Sequence, residues 1–193
     1  MITWHRGRDV VTQAREEAEG PLGDFIDEIR DSEPPLARVP GTAVFLNRGK
    51  ETAPLAWRST VEHTHVLHTH VVIVSVETLP VPRAAESERT QVDALGYEHD
   101  GIVFVTLNFG YMEKTRVLDA LRGVNPEMTE GVIEFDEASF FLSKLELFRG
   151  RNPTMAQWRK RLFIATSHIT ADAADRFGLP RDRTVIMGER IEV

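Results

Sequence analysis

Residues 70–78 have the sequence HVVIVSVET, the strongest strand signal in the chain. Valine, isoleucine and threonine are branched at the β-carbon, and branched side chains favour extended backbone over helix. A strand that is apolar along nearly its whole length needs cover on both faces, as the strands of a parallel sheet have. We therefore predict that residues 70–78 form the central strand of an α/β sheet.

Further segments of strand character lie on both sides of this stretch. Residues 89–95 and 102–109 predict a hairpin, because two short alternating or apolar runs are joined by a loop. The other predicted strands are 41–46 (GTAVFL), 138–147 (ASFFLSKLEL), 184–187 and 191–193. Hairpins and crossovers both occur, so we expect a mixed β-sheet of about five or six strands flanked by helices.

An amphipathic helical arm is predicted at the start of the chain. Apolar residues recur at helical spacing over residues 4–30, and the opposite face is charged. Gly20 and Pro21 interrupt the pattern, which predicts a kink or two helices. Three prolines make residues 31–40 a predicted linker. We therefore divide the chain into an arm, residues 1–31, and an α/β domain, residues 32–193.

Four more helices are predicted within the domain. They cover residues 54–66, 114–121, 154–166 and 170–177, and Gly178 and Pro180 end the last of them. In the third helix, Trp158, Leu162 and Phe163 lie at helical spacing and are expected to be core residues.

The composition excludes several classes of protein. The 193 residues contain 23 Lys and Arg against 30 Asp and Glu, a net charge of −7, and no cysteine. Without cysteine there is no disulfide scaffold, thiol enzyme or thiolate metal site. The acidic balance argues against a nucleic-acid partner. No run approaches the roughly 18 apolar residues of a membrane span, and the first residues do not resemble a signal peptide.

Catalytic and cofactor motifs are missing, so we expect neither an enzyme nor a bound cofactor. Phosphate-loop, dinucleotide, nucleophile-elbow and metalloprotease patterns do not occur in the sequence. Four imidazoles lie close together at His63, His65, His68 and His70. They are weak candidates for a zinc or nickel site, because a helix-to-strand junction is predicted there and would scatter them.

Basic residues gather at three places. Arg6 and Arg8 follow Trp4, a pattern typical of the cytoplasmic end of a membrane helix. Arg149 lies in a second cluster and Arg159 in a third, and both could hold a phosphate or a nucleotide. A solvated helix face with neighbouring acids is the alternative for these two clusters.

A family resemblance emerges from several motifs taken in order. The run RVPGTAVFL (residues 38–46) resembles a signature of the soluble C-terminal region of the KUP family of potassium uptake permeases. Further similar segments follow in the family's order: HTHVLHTHVVIVSV (63–76), FGYMEKTRV (109–117), SFFLSKLEL (139–147), MAQWRKRLF (155–163) and LPRDRTVIMGERIEV (179–193). The start, TWHRGRDVV (3–11), is similar to the segment that follows the family's last membrane helix. Residues 166–169 and the loop 82–88 differ from the family pattern.

The resemblance implies a non-catalytic domain of a proton-coupled potassium importer. It would lie on the cytoplasmic face of the membrane, outside the ion path, and would contact the membrane domain of the same transporter. Regulation, folding support or homodimerisation would be its role. The alternative is a nucleotide sensor, for example for cyclic di-AMP, with Arg38, Arg149 and Arg159 as candidate phosphate contacts. A stand-alone enzyme is the third possibility, and a pocket with perturbed acid or base groups would favour it.

Overall fold

The predicted central strand lies in the middle of a six-stranded sheet. The computed structural model describes residues 12–13, 15–96, 100–129, 133–148 and 173–192. The strands in this part of the chain are β1 (Ala37–Asn47), β2 (Val66–Leu79), β3 (Thr90–Asp93), β4 (Ile102–Gly110), β5 (Ser139–Phe148) and β6 (Thr184–Glu192). The helices are α1 (Leu22–Arg30), α2 (Leu55–Thr64), α3 (Val117–Leu121) and α4 (Ala173–Arg176), and residues 15–19 are also helical.

The sheet is mixed, as the sequence predicts. Its strand order is β3-β4-β2-β1-β5-β6. Every neighbouring pair is parallel except β3 and β4, which form the predicted antiparallel hairpin. β2 pairs with β1 on one edge and β4 on the other, so the prediction that residues 70–78 are central is confirmed.

Each face of the sheet carries its own apolar core. On one face, α1 and α2 pack through Phe25, Ile26 and Trp57 against Phe45 and Ile73. The other face is covered by α3, α4 and the segment before β5, which pack against the alternate residues of the same strands. Such two-sided cover explains the nearly continuous apolar sequence of β2, since all of Val71–Val74 is buried.

The predicted linker is wrong at its end, because β1 begins at Ala37 rather than at residue 41. The pairing of β1 with β2 shifts register between Val39 and Thr42, which is a β-bulge. Pro40 donates no backbone hydrogen bond and Gly41 has a φ of 113°, and a bulge accommodates both. The strand therefore continues through Pro40, although the sequence predicts that this proline lies in a linker.

The two predicted terminal strands are one strand, β6. Its pairing with β5 runs without interruption from Phe140↔Thr184 to Phe148↔Glu192. The continuous pairing with β5 keeps residues 188–190, between the two predicted pieces, in the strand.

The helical arm is broken where the sequence predicts. Gly20 has a φ of 62° and separates residues 15–19 from α1, which follows Pro21. α1 is amphipathic and buries Leu22, Phe25, Ile26 and Ile29. Within the described helices, none has the length and apolar character needed to span a bilayer.

Two sets of predictions fall on other residues. The predicted helix 154–166, with Trp158, Leu162 and Phe163, lies outside the described residues, as do the first residues of the arm. The candidate contacts Arg149 and Arg159 also lie outside them.

Candidate functional site: the crevice beside the first strand

The strand order reverses at β1, and a crevice lies beside the loop at the carboxyl end of this strand. From β1 the chain proceeds to β2 and β4 on one side, and then crosses to β5 and β6 on the other. β1 and β5 pair only over Ala43–Phe45 and Ser139–Phe141, so they separate toward their carboxyl ends. In open α/β sheets, ligands bind at such a point, beyond the carboxyl ends of the strands.

We call this space of about 190 Å³ the switch-point crevice. One wall comes from the arm and the other from the loop after β1. Its lining residues are Thr12, Arg15, Glu16, Glu19, Arg48, Gly49, Glu51 and Thr52. A molecule in the crevice would therefore touch the arm and the sheet at once.

The carboxylate of Glu19 joins the two walls. It accepts hydrogen bonds from Arg15, in the same helix, and from Thr52 Oγ1 at 2.5 Å, in the loop after β1. Glu19 is only 2% exposed, so this charge is neutralised inside the protein. Arg15 also contacts β5, where its Nη2 atom donates to Ser143 Oγ at 3.4 Å.

Backbone hydrogen bonds fasten the arm to the same loop. Pro21 forms a bridge with Thr52, the Leu22 amide donates to the Glu51 carbonyl at 3.0 Å, and the Ala53 amide donates to the Gly20 carbonyl at 3.0 Å. These bonds tie the junction between the arm's two helices to the loop after β1.

Side chains of the strands hold the loop after β1 in place. Asn47 Nδ2 donates to the Gly49 carbonyl at 2.9 Å and to the Thr52 carbonyl at 2.5 Å. Ser75, the polar residue within the apolar run of β2, donates from Oγ to the Arg48 carbonyl at 2.9 Å. Ser75 therefore interrupts the apolar run because its hydroxyl group holds the loop that forms one wall of the crevice.

The crevice holds two guanidinium groups close together. Partial burial and then the positive charge of Arg15 lower the pKa of Arg48, while Glu19 and Glu16 oppose this effect. Arginine stays protonated at neutral pH, so the repulsion between the two groups remains. Arginine donates pairs of hydrogen bonds to planar anions, and three carboxylates, those of Glu16, Glu19 and Glu51, line the same crevice.

A second cavity of about 420 Å³ lies on the other side of the same loop, over β2, β3 and β4. Its walls combine polar side chains, among them Ser75, Gln91 and Thr106, with the apolar Val92 and Phe104. Lys50 and Asp93 form an ion pair beside it. The loop after β1 thus separates two spaces at one end of the sheet.

Arg38, predicted as a phosphate contact, lies elsewhere. It stands in β1 before the bulge, where its Nη1 atom donates to the Thr69 carbonyl at 3.4 Å, whereas the crevice follows the end of β1. Arg38 is exposed and is not part of the crevice. Its role as a phosphate contact stays a prediction.

The four histidines lie across a helix-to-strand junction, as predicted. His63 is in the last turn of α2, His65 is the left-handed residue that ends it, and His68 and His70 are in β2. Burial lowers the pKa of His68, whose ring is 6.0 Å from that of Phe141. Within the described ranges, no three metal-ligating side chains come together.

Sequence reasoning missed Arg15, Glu19 and Arg48. Arg15 and Glu19 are four residues apart in a strongly charged helix, where they look like an exposed pair. The signal that was available is the abrupt change at the end of β1, where the apolar run gives way to the polar run NRGKET (47–52).

Comparisons with known proteins identify the family. The family described as the K+ potassium transporter C-terminal domain matches residues 40–193. The Probable potassium transport system protein Kup of Rhodococcus jostii is 65% identical over 193 residues, covering all of this chain and 29% of that protein. The protein of the same name from Rhizobium tropici is 34% identical over 194 residues, covering 99% of this chain and 88% of that protein. No solved structure matches the chain.

The chain thus spans less than a third of the length of the Rhodococcus jostii relative and of a Cutibacterium acnes relative, of which it covers 30% at 34% identity. The family match extends from the bulge in β1 to the end of the chain. Together with the motifs that follow the family's order, it shows that this chain belongs to the C-terminal domain family of the Kup potassium transporters.

Proposed function

We propose that the chain is a non-catalytic regulatory and dimerisation domain of a proton-coupled potassium uptake transporter. It would lie at the cytoplasmic face of the membrane, outside the ion path, with the transporter's membrane domain as its partner. Residues 1–31 would be the arm that links the two, and residues 32–193 the domain. Potassium transport is named for the matching family and relatives, which supports this assignment.

One observation carries the regulatory part of the proposal: the arm and the sheet share the walls of the switch-point crevice. Glu19 and Arg15 come from the arm, while Thr52 and Arg48 come from the loop after β1. A ligand that fits one arrangement of these walls better than another shifts the population toward that arrangement. The arm would then transmit the shift to the membrane domain.

Arg48→Gln in the full-length transporter tests this role. The substitution removes a charge from the crevice wall but leaves the ion path unchanged. We expect the half-saturating potassium concentration of rubidium uptake to stay the same, while the response of uptake to cellular potassium supply changes. Arg30→Gln, on an exposed position of α1, is the matched control. A changed half-saturation, or a response identical to that of the control, would contradict the proposal.

The switch-point crevice also favours a second candidate, a nucleotide-sensing domain that gates the transporter. Its place at the strand-order reversal is where α/β sheets bind nucleotides, and its two arginines suit a phosphate. Cyclic di-AMP is the example implied by the family resemblance. In this version Arg15 and Arg48 are the proposed phosphate contacts, and Arg38, Arg149 and Arg159 are the alternatives.

Thermal unfolding with cyclic di-AMP, ATP, AMP and zinc separates these possibilities. A ligand at ~100 times its Kd raises the Tm of a chain this size by about 5–10 °C. A nucleotide-specific shift that Arg48→Gln abolishes would support sensing in the crevice. A shift lost only in Arg38→Gln would move the site to β1, and a zinc-only shift would implicate the histidines. No shift with any of the four would remove the sensing candidate.

Dimerisation needs its own measurement. Sedimentation equilibrium of the 193-residue chain gives the oligomeric state directly. A dimer at micromolar concentration would support the dimerisation part of the proposal, and a monomer throughout would remove it while leaving the regulatory part standing.

A further inference from the structure

Three exposed apolar side chains form a small protrusion at the carboxyl end of the sheet. Val81 follows β2, and Tyr111 and Met112 follow β4. They are 38%, 61% and 71% exposed, respectively. We call this group the apolar knob. Single exposed apolar residues are ordinary on proteins, but neighbouring ones on a fixed backbone mark an interaction surface.

The backbone of the knob is fixed by hydrogen bonds between its two halves. The Tyr111 amide donates to the Val81 carbonyl at 2.9 Å, and the Met112 amide donates to the Pro82 carbonyl at 3.1 Å. Gly110 allows this contact, because a Cβ there would lie 2.5 Å from the backbone of Arg83. The main chain after β2 and the main chain after β4 are therefore in direct contact.

A carboxylate at the base of the knob adds further bonds. Glu113 accepts from the Gly110 amide at 2.6 Å, the Ala84 amide at 3.0 Å and both terminal nitrogens of Arg89, at 2.7 and 3.0 Å. Arg89 in turn donates to the Asn108 carbonyl at 3.2 Å. These hydrogen bonds fix the backbone so that the three apolar side chains project into solvent, away from both apolar cores of the described structure.

Positive charge borders the knob. Arg83 and Lys114 are both exposed, and neither pairs with an acidic side chain among the residues that the structure describes. The nearby acid Glu113 is already neutralised by Arg89. Arg83 and Lys114 thus place two positive charges within two residues of the exposed apolar side chains, while the acids Glu86 and Asp119 line the adjoining pocket with Lys114.

The knob lies at the same end of the sheet as the junction with the arm. It extends from the carboxyl ends of β2 and β4, and the arm is fastened to the loop at the carboxyl end of β1. β4 is two strands from β1, so these strands are roughly 10 Å apart across the sheet, and β2 runs four residues beyond the end of β1 before the knob begins. An arm that leads to a membrane domain would therefore bring this end of the sheet toward the bilayer.

We propose that the apolar knob docks on the anionic lipid headgroups beside the transporter, an inference that rests on the proposed membrane partnership. Tyrosine favours the membrane–water interface, and cations next to it are attracted to anionic lipid. A second copy of the chain fits less well. A two-fold contact through the knob would bring both copies of Arg83 and Lys114, four positive charges, into one interface.

A fluorescent label on the knob tests the proposal. The chain has no cysteine, so Met112→Cys carries an environment-sensitive dye at one place. The labelled 193-residue chain is mixed with vesicles of phosphatidylglycerol or of phosphatidylcholine. We expect a blue shift of the emission with phosphatidylglycerol and little with phosphatidylcholine. Glu137→Cys, at an exposed position before the amino end of β5, is the matched control and should not respond.

Removal of the cations sharpens the test. Arg83→Gln with Lys114→Gln should weaken the affinity for phosphatidylglycerol vesicles by about tenfold or more. All these positions are exposed, and an unchanged Tm verifies that each variant is folded. Equal shifts at positions 112 and 137, no shift at position 112, or an affinity that the double variant leaves unchanged would overturn the proposal.

The full-length transporter in bilayers separates lipid from protein as the occupant. Docking on lipid predicts that a lipid-borne quencher reaches the dye at position 112. A dye that is shielded from water but not quenched would show that the knob contacts a protein surface, and would overturn the proposal. Failure here leaves the uptake test of Arg48→Gln unaffected, so the two proposals fail separately.

Discussion

At the scale of single residues, Glu113 shows how a family motif serves structure. It lies within FGYMEKTRV, and its carboxylate ties the end of β4 to the loop after β2. The hydrogen bonds from Arg89, and then those from the Ala84 and Gly110 amides, lower the pKa of Glu113 to about 2. A group held in its ionised form in this way links stability to pH.

We predict that Glu113→Gln flattens the acid limb of the stability profile. The folded-state pKa is below the ordinary value of 4.5, so the ionised carboxylate stabilises the fold above pH 4.5. This contribution is lost as the pH falls from about 4.5 to about 2. Urea denaturation across this range should therefore show a difference between wild type and variant that is largest near neutral pH and closes toward pH 2. Exposed Glu62→Gln on α2 should run parallel to wild type. A difference that stays constant with pH would contradict the assignment.

Asn47 offers a second test at this scale. Its Nδ2 atom donates to two carbonyl groups of the loop that forms the crevice wall. Asn47→Asp places a carboxylate against those two oxygens, and we expect a loss of about 3 kcal/mol in the free energy of unfolding, because a buried charge would replace a donor. Gln91→Glu, the corresponding amide-to-acid change at an exposed position of β3, should cost no more than about 0.5 kcal/mol. Equal costs in urea denaturation at neutral pH would show that Asn47 does not hold the loop.

At the scale of elements, two glycines should respond in opposite directions. Gly110 ends β4 against the backbone of Arg83, so Gly110→Ala must displace main chain and should destabilise the fold by at least about 2 kcal/mol. Gly23 lies in α1 with open space around the position of a Cβ. Gly23→Ala should stabilise by about 0.5–1 kcal/mol, because alanine loses less backbone entropy in a helix. Guanidinium denaturation of the pair checks both signs, and a stabilising Gly110→Ala would contradict the close approach.

The elements themselves were largely predictable from side-chain pattern. β2, the β3–β4 hairpin, α2 and the break at Gly20 follow from periodicity and from glycine and proline positions. Errors occurred where tertiary pairing overrides local preference. Pro40 ends a strand in isolation, but the bulge opposite β2 lets β1 start at Ala37. The polar middle of β6 is held by its pairing with β5.

At the scale of the whole molecule, the crevice could not be predicted because it depends on how the arm docks on the loop after β1. Arg15 and Arg48 are 33 positions apart in the sequence. They meet because the junction between the arm's two helices is hydrogen-bonded to that loop. The sequence indicated the family and a mixed sheet, but the place where the arm contacts the loop after β1 is a property of the complete tertiary structure.

We propose that the arm carries the regulatory signal from this domain to the membrane domain. Rubidium uptake by the full-length transporter with a short Gly-Ser insertion between Gly20 and Pro21 tests this role, since the insertion separates the two halves of the arm at the loop after β1. The same insertion between Arg122 and Gly123, in an exposed turn after α3, is the control.

We predict that the insertion at Gly20 leaves basal uptake intact and abolishes its response to cellular potassium supply, while the control keeps both. A response that persists unchanged with the insertion at Gly20 would contradict regulation through the arm.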